Sequence, residues 1–89
     1  MNFSKDDVEY MQELLLEGYR FIARNKKGHR ELYAYKTKPI KCIDMGFWFA
    51  DDWYYTDIPR SCFDFIKWED EEPFYIGDLF DIIFKEEIE

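Results

Sequence analysis

Carboxylates and aromatic rings crowd into the same half of this chain, and few folds accommodate both. Residues 44–89 hold fourteen Asp/Glu against three Lys/Arg, a sum of −11, and thirteen of the nineteen aromatic residues. Residues 1–43 hold nine Lys/Arg and six Asp/Glu, a sum of +3. A disordered acidic tail lacks aromatics, and an ordinary core lacks this charge density. The C-terminal half is therefore expected to fold and to present a dense negative surface. Such a surface suits a partner whose own surface is basic.

With 89 residues, the chain is expected to form a single domain, 1–89. A domain of this size buries roughly 60–65% of the surface its unfolded form exposes, so its stability margin is thin. The 21% aromatic content compensates, because large rings fill a small core quickly. No apolar run approaches the ~20 residues needed to span a bilayer. The opening Met1-Asn2-Phe3-Ser4-Lys5-Asp6-Asp7 has neither the basic nor the apolar region of a secretory signal. Cys42 and Cys62 read as free thiols in a reducing cytoplasm, the alternative being one bridge between them. His29 and two scattered cysteines make no zinc spacing, so neither metal nor cofactor is expected.

The spacing predicts a helix at about 5–17. Ser4 suits the N-cap, with Asp7 three residues on, and Phe3 and Val8 suit a hydrophobic staple. Val8, Met11, Leu14 and Leu15 form the expected buried stripe, and Gly18 the stop. Residues 19–24 and 30–36 read as two strands joined by the polar turn 25–29, and Pro39 ends the second. Residues 40–49 read as a third strand bent near Gly46. Residues 50–52 form a tight turn, 53–56 a fourth strand and 63–68 a fifth. A short helix is expected near 77–85. The fold class is therefore α+β in two layers: an N-terminal helix, an antiparallel meander sheet of about four or five strands and a short C-terminal helix.

Three clusters are candidates for chemistry. The run Glu69-Asp70-Glu71-Glu72 is a solvated face or a partner surface. Catalytic carboxylates need contrasting environments, which a run on one loop does not supply. Asp51 and Asp52 lie between Phe47-Trp48-Phe49 and Trp53-Tyr54-Tyr55, read as a hairpin. One sheet face cannot bury all six rings, so some stand exposed beside carboxylates, as at an interface hot spot. The basic stretch Arg20, Arg24, Lys26, Lys27, Arg30, Lys36, Lys38 and Lys41 interleaves with Tyr19, Phe21, Tyr33 and Tyr35, as in single-strand stacking platforms. The net charge of −8 argues against nucleic-acid binding, leaving these charges to solubilise the hairpin and blunt a sheet edge.

The segments Lys67-Trp68-Glu69-Asp70-Glu71-Glu72-Pro73, Gly18-Tyr19 with Ala23-Arg24, and Leu32-Tyr33-Ala34 resemble a group of small proteins from phages and prophages of Gram-positive bacteria. The resemblance spans about residues 14–80, and the 67–73 element is its most specific part. It implies a phage setting and a host-cytoplasm location. Small acidic phage proteins are often inhibitors of host machinery, including CRISPR effectors and other DNA-binding defence proteins.

The expected function is a non-enzymatic acidic protein that binds and inhibits a host protein with a basic surface. In an anti-CRISPR-like, DNA-mimicking version, carboxylates stand where phosphates would. The candidate partner-binding residues are Asp51, Asp52, Trp53, Tyr54, Asp57, Glu69, Asp70, Glu71 and Glu72. The alternative is an accessory of phage DNA metabolism that binds nucleic acid through the basic hairpin 20–41. An enzyme ranks last, because the sequence offers no nucleophile–base pair, phosphate loop or metal cluster. A further partner is a second copy, the basic half of one docking on the acidic half of the other. No membrane contact is expected.

Overall fold

A computed structural model of the chain describes residues 4–28, 31–51 and 54–78. The architecture is α+β. Helix α1 (Lys5–Leu16) is followed by strands β1 (Phe21–Arg24), β2 (Leu32–Tyr35), β3 (Ile40–Cys42), β4 (Phe47–Phe49), β5 (Tyr55–Asp57) and β6 (Phe74–Tyr75). Helical backbone begins again at 76–78. The rest of the helix expected near 77–85 lies outside the described residues, as do Phe3 of the staple and His29 of the polar turn.

Both ends of α1 are set by local chemistry. Ser4 Oγ accepts the backbone N–H of Asp7 at 3.0 Å, satisfying a donor that the first turn leaves open. Asp6 and Asp7 add negative charge where the helix dipole favours it. At the other end Gly18 adopts φ +97°, a left-handed conformation that a Cβ disfavours. Its N–H donates to the Leu15 carbonyl at 3.0 Å, and the Tyr19 N–H donates to the Leu14 carbonyl at 2.9 Å. That pair of bonds is a Schellman stop. Met11 and Leu14 are the buried pair of the helix, with Val8 and Leu15 half-buried at the margins.

The main sheet has the strand order β5-β2-β1-β6, and every pairing is antiparallel. Register assigns its faces. Ile22 pairs with Ala34, and Arg24 with Leu32, on one side. Phe21 pairs with Tyr35, and Ala23 with Tyr33, on the other. The first face packs with Met11, Leu14, Ile58, Phe63, Ile66 and Ile76 to form the main core. The second is covered by Trp48 of β4, which packs on Ala23 and Tyr35. Helix and loop thus cover one face, and a hairpin crosses part of the other.

Three local expectations differ from the structure. Residues 40–49 are not one bent strand. The chain reverses at 43–46, with Gly46 at φ +78°, so that β3 and β4 form their own two-stranded sheet in the register Ile40↔Phe49. Residues 47–55 are not a hairpin either, because β4 pairs with β3 while β5 pairs with β2. Residues 63–68 form turns and loop instead of a strand.

The cause of the last difference is Arg24. Its Nε donates to the Ile66 carbonyl at 2.6 Å and its Nη1 to Arg60 at 3.0 Å. Its Nη2 donates to Cys62 at 2.8 Å and Phe63 at 3.1 Å. One planar fork thus gathers four carbonyls that would otherwise need strand partners. Phe63 takes φ 54°, an unfavourable region for a bulky residue, while its ring is buried in the main core.

Candidate functional site

An open groove lies between the second face of the main sheet and the β3–β4 hairpin, with a volume of about 640 Å³. Its base is Tyr35 and Trp48, which are 3% and 5% exposed. Period-two alternation along Leu32–Tyr35 sends Leu32 and Ala34 into the main core and turns Tyr33 and Tyr35 the opposite way. The Tyr35 hydroxyl donates to the Trp48 carbonyl at 3.3 Å, tying sheet to hairpin. Burial, with Tyr33 and Tyr55 next in effect, pushes the Tyr35 phenol above its usual range, so it stays neutral.

The wall on the sheet side is tyrosine. Tyr33 and Tyr55 meet edge to face at 5.3 Å between centroids, and Tyr35 and Tyr55 lie 6.3 Å apart. The hairpin wall is Phe47 and Phe49, 6.4 Å apart. Ala50 and Asp51 complete the lining, so Asp51 is its charged member among the described residues. Tyr55 and Phe49, 46% and 41% exposed, stand at the rim.

Trp48 is held from several sides. Its backbone N–H donates to the buried Asn25 side chain at 2.8 Å, and its indole N–H donates to the Arg24 carbonyl at 3.1 Å. The Lys41 ammonium sits 5.6 Å from its ring centroid and 4.3 Å from that of Trp68. Lys41 also donates to the carbonyls of Trp68 and Asp70, the latter at 3.0 Å. The acidic run is thereby anchored. Within it, the Lys67 N–H donates to Asp70 Oδ2 at 3.0 Å and the Asp70 N–H returns to the Lys67 carbonyl at 3.2 Å, closing a turn.

The residues singled out from the sequence fall in two places. Asp51 lines the groove, Tyr54 is exposed just before β5, and Asp57 ends β5 opposite Tyr33. Asp52 and Trp53 lie outside the described residues. Glu69, Asp70, Glu71 and Glu72 are all exposed on the anchored turn before β6. One member of each group borders the open end of the β3–β4 hairpin. Glu72 reaches it through a 2.8 Å ion pair with Lys38, and Asp51 lies two residues past Phe49, the partner of Ile40. Sequence reasoning missed Tyr33, Tyr35, Tyr55, Phe47 and Phe49 as groove residues. The alternation of Leu32–Tyr35 was the available signal for the first two.

Half of the basic stretch is engaged within the fold. Arg24 and Lys41 hold carbonyls, and Lys38 pairs with Glu72. The Lys36 ammonium lies 5.3 Å from the rings of both Tyr19 and Tyr54. Arg20, Lys26 and Lys27 are exposed, and Arg30 lies outside the described residues. Cys42 and Cys62 are free thiols. Burial, followed by the Asp7 carboxylate, pushes the Cys62 thiol up, with Arg24 opposing less strongly. That direction disfavours the reactive thiolate. Among the described residues no group of three or more His, Cys, Asp or Glu comes together to hold a metal ion. No described helix is long and apolar enough to cross a membrane.

Compared with family models, curated proteins and solved structures, the chain matches none.

Proposed function

We propose that this is a non-enzymatic binding protein that engages a basic host protein through its acidic, aromatic side. The observation that carries this reading is the unequal fate of its charges. Arg24, Lys36 and Lys41 of the basic stretch are engaged within the fold, whereas Asp51 lines the open aromatic groove and Glu69, Asp70 and Glu71 are exposed. Aromatic anchors surrounded by like charge suit recognition of an oppositely charged surface, with the charges steering encounter and the rings fixing the docked pose. In the phage setting that the 67–73 element implies, the partner is a nucleic-acid-binding defence protein in the host cytoplasm. The carboxylates then meet Lys/Arg that otherwise meet phosphates.

The experiment is capture from host lysate on immobilised protein, beside gel shifts with single- and double-stranded DNA. Retention of a basic protein, lost at raised salt, with no DNA shift, supports the reading. A salt-sensitive DNA shift with nothing retained supports the alternative, nucleic-acid binding through residues 20–41.

A further inference from the structure

The β3–β4 hairpin is apolar on both faces, and the core covers one of them. Lys41 and Trp48 are opposite each other in the register, and Lys41 stands over the Trp48 ring, which packs on Ala23 and Tyr35. Period two places Ile40, Cys42, Phe47 and Phe49 on the opposite face, and none of the four is charged. Ile40 is 56% exposed and Phe49 41%, and the turn closing the hairpin adds Ile43 at 76% and Met45 at 60%. The main chain is equally one-sided. The Trp48 N–H donates to the Asn25 side chain and its carbonyl accepts from the Tyr35 hydroxyl, so both groups point away from β3. The 41–48 pair is therefore of the non-hydrogen-bonded kind, and the N–H and C=O of Lys41 point out from the other edge of the hairpin. Among the described residues the small sheet ends at β3. Sheet edges are often guarded by a lysine, but the Lys41 ammonium is taken up by the carbonyls of Trp68 and Asp70.

We propose that β3 pairs antiparallel with β3 of a second copy, about a two-fold axis at Lys41, to make a four-stranded sheet in the order β4-β3-β3-β4. The inference goes beyond the host-protein reading and does not depend on it. A second copy is the occupant because the edge is self-complementary. Centred on Lys41, each copy supplies one outward N–H and one outward C=O, the pair of bonds that antiparallel partners exchange. The flanking side chains match as well. This register sets Ile40 opposite Cys42 of the partner subunit on both sides of the axis, apolar against apolar. The four outer-face positions give a basic protein no carboxylate to pair with, whereas the acidic run lies on the turn before β6. Two copies at −8 repel at long range, so salt should leave the dimer unchanged or strengthen it, opposite to its effect on a basic partner.

The test is analytical ultracentrifugation of the full chain across a concentration series, beside amide hydrogen exchange at Lys41. The expected result is a monomer–dimer equilibrium, with the Lys41 amide exchanging freely in dilute protein and slowly in concentrated protein. A charge swap reads the register. Ile40→Lys/Cys42→Lys sets lysine opposite lysine twice across the axis, although it lowers the overall negative charge. Ile40→Lys/Cys42→Glu sets lysine opposite glutamate twice. The first variant should dimerise at least about tenfold more weakly than the second, because like charges directly opposite repel and unlike charges attract. Equal dimerisation of the two variants would overturn the register and with it the proposal. A parent that stays monomeric at every concentration would overturn it too. So would a Lys41 amide already protected in dilute monomer, which would mean that the chain covers its own edge. A dimer dispersed by salt would instead favour the basic half of one copy docking on the acidic half of the other. Should either variant fail to fold, the concentration dependence of Lys41 exchange and the salt response of the parent still decide. Capture of a basic host protein, or its failure, leaves this result untouched.

Discussion

The Lys41 ammonium stands 4.3 Å from the centre of the Trp68 ring and donates to the Trp68 carbonyl from the same position. A cation from the basic half thus fixes the start of the acidic run, joining β3 to the turn before β6. Lys41→Met keeps most of the apolar stem but removes the donors. The expected loss is about 1–3 kcal/mol, set by carbonyls left without partners. Hydrogen exchange at the Asp70 amide should accelerate more than exchange at Met11. Equal acceleration at both sites would mean that Lys41 supports the whole fold and not this turn in particular.

Arg24 makes a sharper prediction, because four carbonyls depend on its fork. Arg24→Lys preserves charge but cannot reach four acceptors with one ammonium. A destabilisation of about 2–4 kcal/mol is expected from part-buried carbonyls losing their donors. At about 4–8 °C per kcal/mol for a domain of this size, the thermal midpoint should fall well outside measurement error. An unchanged midpoint would show that the 60–66 loop is held by its apolar contacts alone.

The two ends of the burial range on α1 give a paired test. Leu14 is 3% exposed and Leu16 is 88% exposed, two residues further along. Leu14→Ala should cost about 2–5 kcal/mol, as a cavity in the main core. Leu16→Ala should stay within about 0.5 kcal/mol of the parent. Denaturant melts of the two variants should therefore separate clearly. Similar midpoints would place the helix in a different rotation on the sheet.

Alkaline pH should unfold the protein through Tyr35. Burial raises its folded-state pKa above the usual value near 10. The folded state therefore holds a proton that the unfolded state releases. The stabilisation is fully present below pH of about 10 and is lost as pH climbs toward the folded value. Tyr35→Phe should flatten the decline in melting temperature above pH of about 10, at the cost of the bond to the Trp48 carbonyl. A decline equally steep in the variant would assign alkaline unfolding to other groups.

Short-range signals were legible in the sequence, and long-range ones were not. Ser4 and Gly18 act within a turn of where they sit, so both ends of α1 could be read. Alternation along 19–24 and 30–36 disclosed the hairpin, because register follows from period two. The 63–68 segment misled for a physical reason. Its Phe-Asp-Phe-Ile alternation mimics a strand, but the carbonyls of Arg60, Cys62, Phe63 and Ile66 are bound by Arg24, about forty positions earlier in the chain. Gly46 announced a bend but not a reversal, which depends on Trp48 facing Ala23 and Tyr35. β6 is two residues long and pairs only because Phe21 and Ile22 offer it an edge. At the site, the crowding of rings and carboxylates was visible, but the groove was not. Its walls come from β2, β4 and β5, which tertiary packing alone brings together.

If the acidic side is the binding side, the association rate of the captured host protein across a salt series must depend on its carboxylates. The comparison is between the parent and Glu71→Lys/Glu72→Lys. Exposed charges are screened beyond about 10 Å at 0.1 M salt, and long-range attraction acts mainly on encounter. Both side chains are exposed, and the Glu72–Lys38 ion pair that the reversal breaks is itself exposed, so the melting temperature should change little. The prediction is an association rate that falls steeply with salt for the parent and is slower and flatter for the variant, with dissociation little altered. Identical rates and salt slopes for the two proteins would contradict the claim.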